Sequence, residues 1–463
     1  MTRVSLQFLG AIGTVTGSKY AVQTEKSLVL VDCGMFQGLK TLRERNWEPL
    51  PISASSIDAV VLTHAHLDHC GFLPALVKQG FNGPVYATEW TLKLAEVIMR
   101  DSAKLQMEDA DYALKKGFSK HNPPRALYDE TDVDKTVTLF RTLPFNVETE
   151  ITSDIKVIAH PAGHVLGAAF LEVKADDRRL LFTGDLGRPG HPILRAPGRV
   201  PDGHFDAILS ESTYGDRSHE IPRGAFADAI NRTLARKGCV LIPAFAVDRT
   251  EVILMELRRL MDEQLIPRVP IFADSPMALT TLDYYRAAIT EGSPEIRPEI
   301  IEAYKTDDIF DPGSLNEVRT VEESKKLNTP SMPSIIISAS GMATGGRVVH
   351  HLEGMLPNKK NSVLLVGYQA AGTRGRSLLE GVPALKMYGK YVPVNAEIIQ
   401  VGEFSVHADA NELVDWLRGA SEPPTTIFVV HGEAEAADTF ADKLHSELGW
   451  PSVVPHVDEK VQL

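Results

Sequence analysis

The stretch His64-Ala65-His66-Leu67-Asp68-His69 puts three imidazoles and a carboxylate within six residues. The apolar run Ile57 to Leu62 precedes it and reads as a buried strand. Cys70-Gly71-Phe72-Leu73-Pro74 follows and reads as the opening of a helix. The histidines are therefore expected in a tight strand-to-helix turn. Such a turn can aim alternate side chains at two points a few ångströms apart. Imidazole together with carboxylate suits zinc.

Two metal ions need more ligands than this run supplies, and candidates recur downstream at predicted strand ends. His164 lies in Pro161-Ala162-Gly163-His164, after the apolar Val157 to Ala159. Asp185 lies in Thr183-Gly184-Asp185, after Leu180-Leu181-Phe182. His431 follows Ile427-Phe428-Val429-Val430, and Asp32 follows Leu28-Val29-Leu30-Val31. Ligand sites of layered α/β folds gather at strand ends. Any one of these residues alone reads as a turn former or a hydrogen-bonded histidine. Together with the hexapeptide they read as one site.

At these motifs the chain resembles the metallo-β-lactamase superfamily, and within it the β-CASP nucleases, which include the endonuclease subunit of the pre-mRNA 3′-end processing machinery. Val31-Asp32-Cys33-Gly34 is similar to the first superfamily motif, His64 to His69 to the second, His164 to the third and Asp185 to the fourth. Glu211 in Ser210-Glu211-Ser212-Thr213-Tyr214-Gly215 resembles the acidic β-CASP motif. His407 in Phe404-Ser405-Val406-His407-Ala408-Asp409 resembles the second, and His431 in Val430-His431-Gly432-Glu433 the third. Asp274-Ser275-Pro276-Met277-Ala278, Ser338-Ala339-Ser340-Gly341-Met342 and Gly367-Tyr368-Gln369-Ala370 match as well. No motif position departs from the family pattern. The implied fold is α/β: an αββα sandwich with an inserted, doubly wound parallel-sheet β-CASP domain.

The resemblance implies two Zn2+ ions. His64, His66 and His164 would bind one, and Asp68, His69 and His431 the other. Asp185 would bridge them, with Asp32 orienting ligand imidazoles. His407 would protonate the leaving 3′-oxygen, and Glu211 would hold its tautomer and help it carry the proton. Products would carry a 5′-phosphate and a 3′-hydroxyl. Ser338 to Gly346 offers small residues and free backbone N–H groups at a helix start, which suits phosphate. Its match to the family's backbone-binding loop marks Ser338, Ser340 and Gly341 as phosphate contacts. Arg374 and Arg376 are expected to add to them.

Composition bounds the rest. A chain of 463 residues has room for two or three domains. No run of eighteen apolar residues occurs, so no membrane span is expected, and Met1 to Gly10 reads as a strand with no basic leader. Cys33, Cys70 and Cys239 are too few for a disulfide framework and suit a reducing, cytoplasmic setting. In this resemblance Cys33 and Cys70 neighbour the metal motifs without being ligands. A net charge of −13 is unusual for a protein that binds nucleic acid. It is uneven, however: Gly341 to Val392 holds seven basic residues against Glu353 and Glu380. A basic groove on an acidic body fits an RNA partner, most simply single-stranded.

Along the chain, Thr91 to Lys116 reads as one long helix closed by Gly117, and Glu130 to Arg141 as a second. After Gly215 a new alternation of strands and helices implies a parallel sheet. The domains are expected at 1–215, 216–396 (the insert) and 397–463. Residues 290–330 read as irregular connecting structure. The leading function is a zinc-dependent ribonuclease in RNA processing or decay, with endonucleolytic cleavage and 5′-to-3′ trimming both open. A DNA nuclease of the same family is the alternative, but its members usually lack a histidine at the third β-CASP motif. A small-molecule metallo-hydrolase needs neither the insert nor the Glu211/His407 pair. A non-catalytic scaffold needs no intact ligand set. Homo-oligomers or RNA-processing partners are compatible with all of these.

Overall fold

The computed structural model describes residues 4–116, 123–219 and 224–463. Two compact units emerge, one from residues 1–37, 41–218 and 406–463, the other from 38–40 and 219–405.

The first unit holds two seven-stranded sheets. One runs Lys460–Gln462, Ser5–Phe8, Tyr20–Gln23, Leu28–Val31, Ala59–Val61, Val85–Ala87, Phe140–Thr142. The other runs Ser452–Val453, Thr426–Val429, Ala207–Ser210, Arg178–Phe182, Ala169–Ala175, Ile155–Pro161, Thr149–Glu150. In each sheet an antiparallel half meets a parallel half, the change falling at Leu28–Val31 and at Arg178–Phe182. The buried core between them takes side chains from both sheets, such as Leu6, Val29, Val61, Val173, Leu180 and Leu209. Phe8 meets Phe428 across it with ring centroids 5.0 Å apart, and Tyr20 meets Phe182 at 6.2 Å. Strands such as Leu28–Val31 and Ala207–Ser210 are buried on both faces, so they read as continuous apolar runs.

The second unit is a six-stranded parallel sheet in the order Leu315–Glu317, Ile271–Ala273, Ile335–Ser338, Val240–Pro243, Ser362–Leu365, Glu397–Gln400. The chain starts in the middle and builds outward both ways, which is the doubly wound topology expected. A two-stranded hairpin, Ala384–Met387 with Lys390–Pro393, adds to it.

Three local expectations change. The helix after Asp129 ends at Thr138, and Phe140–Thr142 pairs parallel with Val85–Ala87 instead of extending it. Asp129 and Asp132 form a capping box at its start. Residues 290–330 are not irregular: they contain the helices Pro298–Tyr304 and Val321–Lys326 and the edge strand Leu315–Glu317. That strand is short and carries only one apolar side chain, so it gave no apolar run to read. Finally, the long helix runs Glu89–Lys116, and Gly117 lies outside the described residues.

Candidate metal centre

Strand ends deliver the polar groups. Ala59–Val61 ends three residues before His64, and His66 is the cap residue of a short helix, Leu67–Cys70. Asp68 and His69 therefore sit in helix, not in the preceding turn. Tight packing fixes the loop: a Cβ on Gly34 would lie 1.6 Å from the Asp68 carbonyl oxygen. Ser18 N–H donates to that same oxygen at 2.8 Å, and Cys33 N–H donates to His69 O at 2.7 Å. In the second sheet Arg178–Phe182 leads to Asp185, Ala207–Ser210 to Glu211 and Thr426–Val429 to His431. His164 lies in the turn between two antiparallel strands.

Seven of these side chains converge. His66 Nδ1 lies 3.1 Å from His64 Nε2 and 3.3 Å from His164 Nε2. Asp185 Oδ2 lies 3.4 Å from His64 Nε2 and 3.6 Å from His164 Nε2. Beside them, His69 Nε2 lies 3.1 Å from His431 Nε2 and 3.3 Å from Asp185 Oδ1. His431 Nε2 lies 3.5 Å from Asp68 Oδ2. Donors at about 2.0–2.1 Å from a tetrahedral zinc stand roughly 3.3–3.4 Å from one another. Both clusters have that spacing, and Asp185 turns one oxygen to each. His64, His66, His164 and Asp185 could hold one ion, and Asp68, His69 and His431 another.

The far side of the rings is also occupied. Asp32 Oδ2 lies 2.8 Å from His69 Nδ1. Thr63 N–H and Oγ1 both donate to Asp32, at 2.7 and 2.8 Å, and Thr63 Oγ1 lies 3.1 Å from His64 Nδ1. Thr213 Oγ1 lies 3.2 Å from His431 Nδ1, and Val406 O lies 3.4 Å from His164 Nδ1. Such partners fix tautomer and ring orientation. Thr63 and Thr213 were not singled out in the sequence. Their only signal is adjacency to a motif, since one threonine looks like any other.

Electrostatics fit a cation. Burial, then His69, holds His64 well below its ordinary range. Burial pushes His66 down to about 4, and burial, then His407, lowers His164. Burial thus disfavours the protonated form of these imidazoles, and the unprotonated form is the one that binds metal. Burial would raise Asp185, but His431, His69 and His64 outweigh it and hold the carboxyl well below the usual range. Burial would lower His69, but Asp185 and Asp32 overcome it and raise the ring well above the usual range. The pocket thus favours positive charge at the His69 nitrogens.

His407 stands beside this group. Its Nδ1 is 3.2 Å from Glu211 Oε2 and 3.9 Å from Asp185 Oδ2. Glu211 is buried and pinned: its Oε1 accepts from Leu186 N–H at 2.5 Å. The three cysteines are free and buried, and Cys70 Sγ faces the Ala65 carbonyl at 3.2 Å.

In the second unit the loop after Ile335–Ser338 leads into the helix Arg347–Met355. Ser338 is buried and its hydroxyl donates to Asp274 O at 2.8 Å. Ser340 Oγ accepts from Thr344 N–H at 3.0 Å. Gly341 leaves no room for a side chain, since a Cβ would lie 2.7 Å from the Phe245 ring. Arg374 donates to the carbonyls of Ala343, Thr344 and Lys386. Arg376 donates to Glu380 and to Gln369 O. Both guanidinium groups thus brace the loop's surroundings, a role that spacing alone does not reveal. Below the loop, buried Asp274 takes Arg347, His351 and Ser324, each at 2.6 Å.

A sandwich of two such sheets with a histidine and carboxylate cluster at its strand ends defines a metallo-β-lactamase-type fold and site. Comparison with known proteins agrees. Residues 12–218 match the Metallo-beta-lactamase superfamily, 250–378 the Beta-Casp domain, and 391–455 the Zn-dependent metallo-hydrolase RNA specificity domain. Ribonuclease TTHA0252 of Thermus thermophilus is 36% identical over 92% of this chain and 92% of its own length. Transcription termination factor FttA of Cenarchaeum symbiosum is 32% identical over all of this chain and 71% of its own length. A crystal structure of a protein of unknown function from Enterococcus faecalis V583 shares the fold, with a TM-score of 0.51 at 14% identity over the whole of both chains. The chain belongs to the β-CASP ribonuclease family of the metallo-β-lactamase superfamily. Among the described residues no helix is long and apolar enough to cross a membrane.

Proposed function

We propose that this chain is a zinc-dependent ribonuclease that hydrolyses single-stranded RNA in the cytoplasm and leaves a 5′-phosphate and a 3′-hydroxyl. The observation that carries the reading is the pair of donor clusters that share Asp185, each spaced as zinc ligands are. The ribonuclease named among the relatives supports RNA as substrate.

His64, His66 and His164 would hold one ion, Asp68, His69 and His431 the second, and Asp185 both. Bound zinc would supply an activated water and neutralise charge developing at phosphorus. The chain's own residues do the rest. Asp32 and Thr63 lock His69 and His64 in the tautomers that present Nε2 inward. His407 passes the proton on its Nε2 to the departing 3′-oxygen, completing the bond cleavage. Glu211, held by Leu186 N–H, receives the Nδ1–H and keeps the ring turned with Nε2 outward. Ser340 and Gly341 would meet the RNA backbone through the loop's N–H groups, while Ser338, Arg374 and Arg376 support that loop. The unit of residues 38–40 and 219–405 would be the inserted domain in this reading, and that of residues 1–37, 41–218 and 406–463 the catalytic one.

The test is cleavage of a defined single-stranded RNA by metal-loaded protein, with the product ends mapped. A 5′-phosphate and 3′-hydroxyl are expected. A 2′,3′-cyclic phosphate, or cleavage of DNA in preference to RNA, would overturn the reading.

A further inference from the structure

We propose that the hairpin Ala384–Met387/Lys390–Pro393 is a platform for single-stranded RNA, on which Tyr391 and Tyr388 stack against bases while Lys386 and Lys390 meet phosphates. The inference rests on the ribonuclease reading and adds a second substrate surface to it. The hairpin is two-faced. Leu385, Met387 and Val392 are buried in the core of the second unit. The other face carries Lys386 and Tyr391, with Tyr391 70% exposed, while Tyr388, 38% exposed, and the exposed Lys390 flank the tip. Among the described residues Tyr391 is the most exposed large hydrophobic side chain.

The arrangement is specific. Lys386 stands directly opposite Tyr391 in the strand register, with its ammonium 6.0 Å from the ring centroid. Tyr388 holds φ at 48°, a left-handed conformation uncommon for a bulky residue. Its ring stacks on His350, centroids 4.7 Å apart and planes at 17°, and its hydroxyl lies 3.0 Å from His350 Nε2. Tyr388 and His350 thus form one stacked pair at the hairpin's tip.

Charge selects the occupant. Residues 381–396 contain two lysines and no acidic residue, in a chain of net charge −13. Arg374 ties the hairpin to the phosphate-binding loop: Nη1 donates to Ala343 O and Thr344 O at 3.2 and 2.8 Å, and Nε donates to Lys386 O at 3.4 Å. A polyanion bearing unpaired bases satisfies both the rings and the lysines, whereas a duplex hides its base faces.

Binding of a fluorescein-labelled 15-nucleotide oligouridylate to the full-length protein, read by anisotropy, tests this. Tyr391→Ala should weaken binding roughly five- to a hundredfold, the range for loss of one stacked base, with the melting temperature unchanged. Tyr391→Trp should restore it, and Tyr391→Leu should not. Lys386→Gln with Lys390→Gln should reduce the slope of log affinity against log salt by about 1.4, at roughly 0.7 per phosphate contact on a single strand. If the wild-type chain binds this RNA and all of these variants bind it equally well, the hairpin assignment is wrong and the ribonuclease reading stands. Restoration by leucine as good as by tryptophan would rule out stacking. A wild-type chain that neither binds nor cleaves RNA would overturn the ribonuclease reading and the platform with it.

Discussion

Replacing Glu211 by Gln probes the proton donor without touching a proposed zinc ligand. The glutamate is buried and its Oε2 lies 3.2 Å from His407 Nδ1. Its Oε1 is already occupied by Leu186 N–H at 2.5 Å. In the glutamine the amide oxygen must keep that backbone donor, so the NH2 group turns toward His407. Nδ1 then faces a donor where it faced a carboxylate, and the doubly protonated ring loses its support. A charge-assisted hydrogen bond is worth about 1.5–3 kcal/mol and a neutral one about 0.5–1.5, so the swap removes roughly 1–2 kcal/mol. That corresponds to about a five- to thirtyfold fall in turnover on RNA. His407→Ala removes the donor itself and should cost roughly 10²–10⁴-fold. Single-turnover cleavage of RNA, run beside hydrolysis of a nitrophenyl phosphodiester, is the assay. The nitrophenolate leaves without a proton, so both variants should hydrolyse it nearly as fast as wild type. Equal losses on both substrates, or loss of zinc from either variant, would refute the assignment of His407 as acid.

Asp185→Asn should abolish RNA cleavage, with a loss on the order of a hundredfold or more, and should lower bound zinc measured by elemental analysis, because one oxygen faces each cluster. Asp32→Ala should weaken zinc retention roughly 10- to 100-fold in competition with a chelator while leaving the sheets folded, since it acts through His69 Nδ1. Gly34→Ala puts a Cβ 1.6 Å from the Asp68 carbonyl, so the loop must shift; thermal melting should fall and zinc retention with it. Glu172 tests stability against pH. Burial would raise it, but His160 and Arg179 outweigh that and bring it down to about 2. A lowered carboxyl stabilises the fold above its unfolded value of 4.5 and loses that contribution as pH falls toward 2. A contribution of about 1–3 kcal/mol is expected. Denaturant unfolding of Glu172→Gln and wild type should therefore differ at pH 7 and converge near pH 2; a constant difference would show that the residue acts by packing alone.

Much of this was legible in the sequence because function and fold share residues. The strands Leu28–Val31, Arg178–Phe182 and Thr426–Val429 each run into an Asp or His near a glycine, so the apolar runs at 28–31, 180–182 and 427–430 announced both a strand and the polar group that follows it. The strand Ile335–Ser338 is an apolar run, and the helix Arg347–Met355 begins where the small-residue stretch 338–346 ends, at the helix start expected there. Other parts carried no such pattern. Leu315–Glu317 is an edge strand that needs little apolar surface, although Thr320 and Glu323 do spell the capping box of the helix that follows. Thr63 and Thr213 act through single hydroxyl contacts set by tertiary packing, which no spacing encodes. Arg374 and Arg376 read as phosphate contacts from the sequence, while their hydrogen bonds to the carbonyls of Thr344 and Gln369 arise from tertiary packing that no spacing encodes.

The central claim is that two zinc ions held at Asp185 drive RNA hydrolysis. Its most direct test is a titration: chelator-treated protein receives zinc in fractions of an equivalent, and bound metal and RNA cleavage rate are measured on the same samples. Negligible cleavage is expected without metal, with a rise that levels off at two bound equivalents per chain. Full cleavage by the metal-free protein, or no zinc bound at any addition, would contradict it.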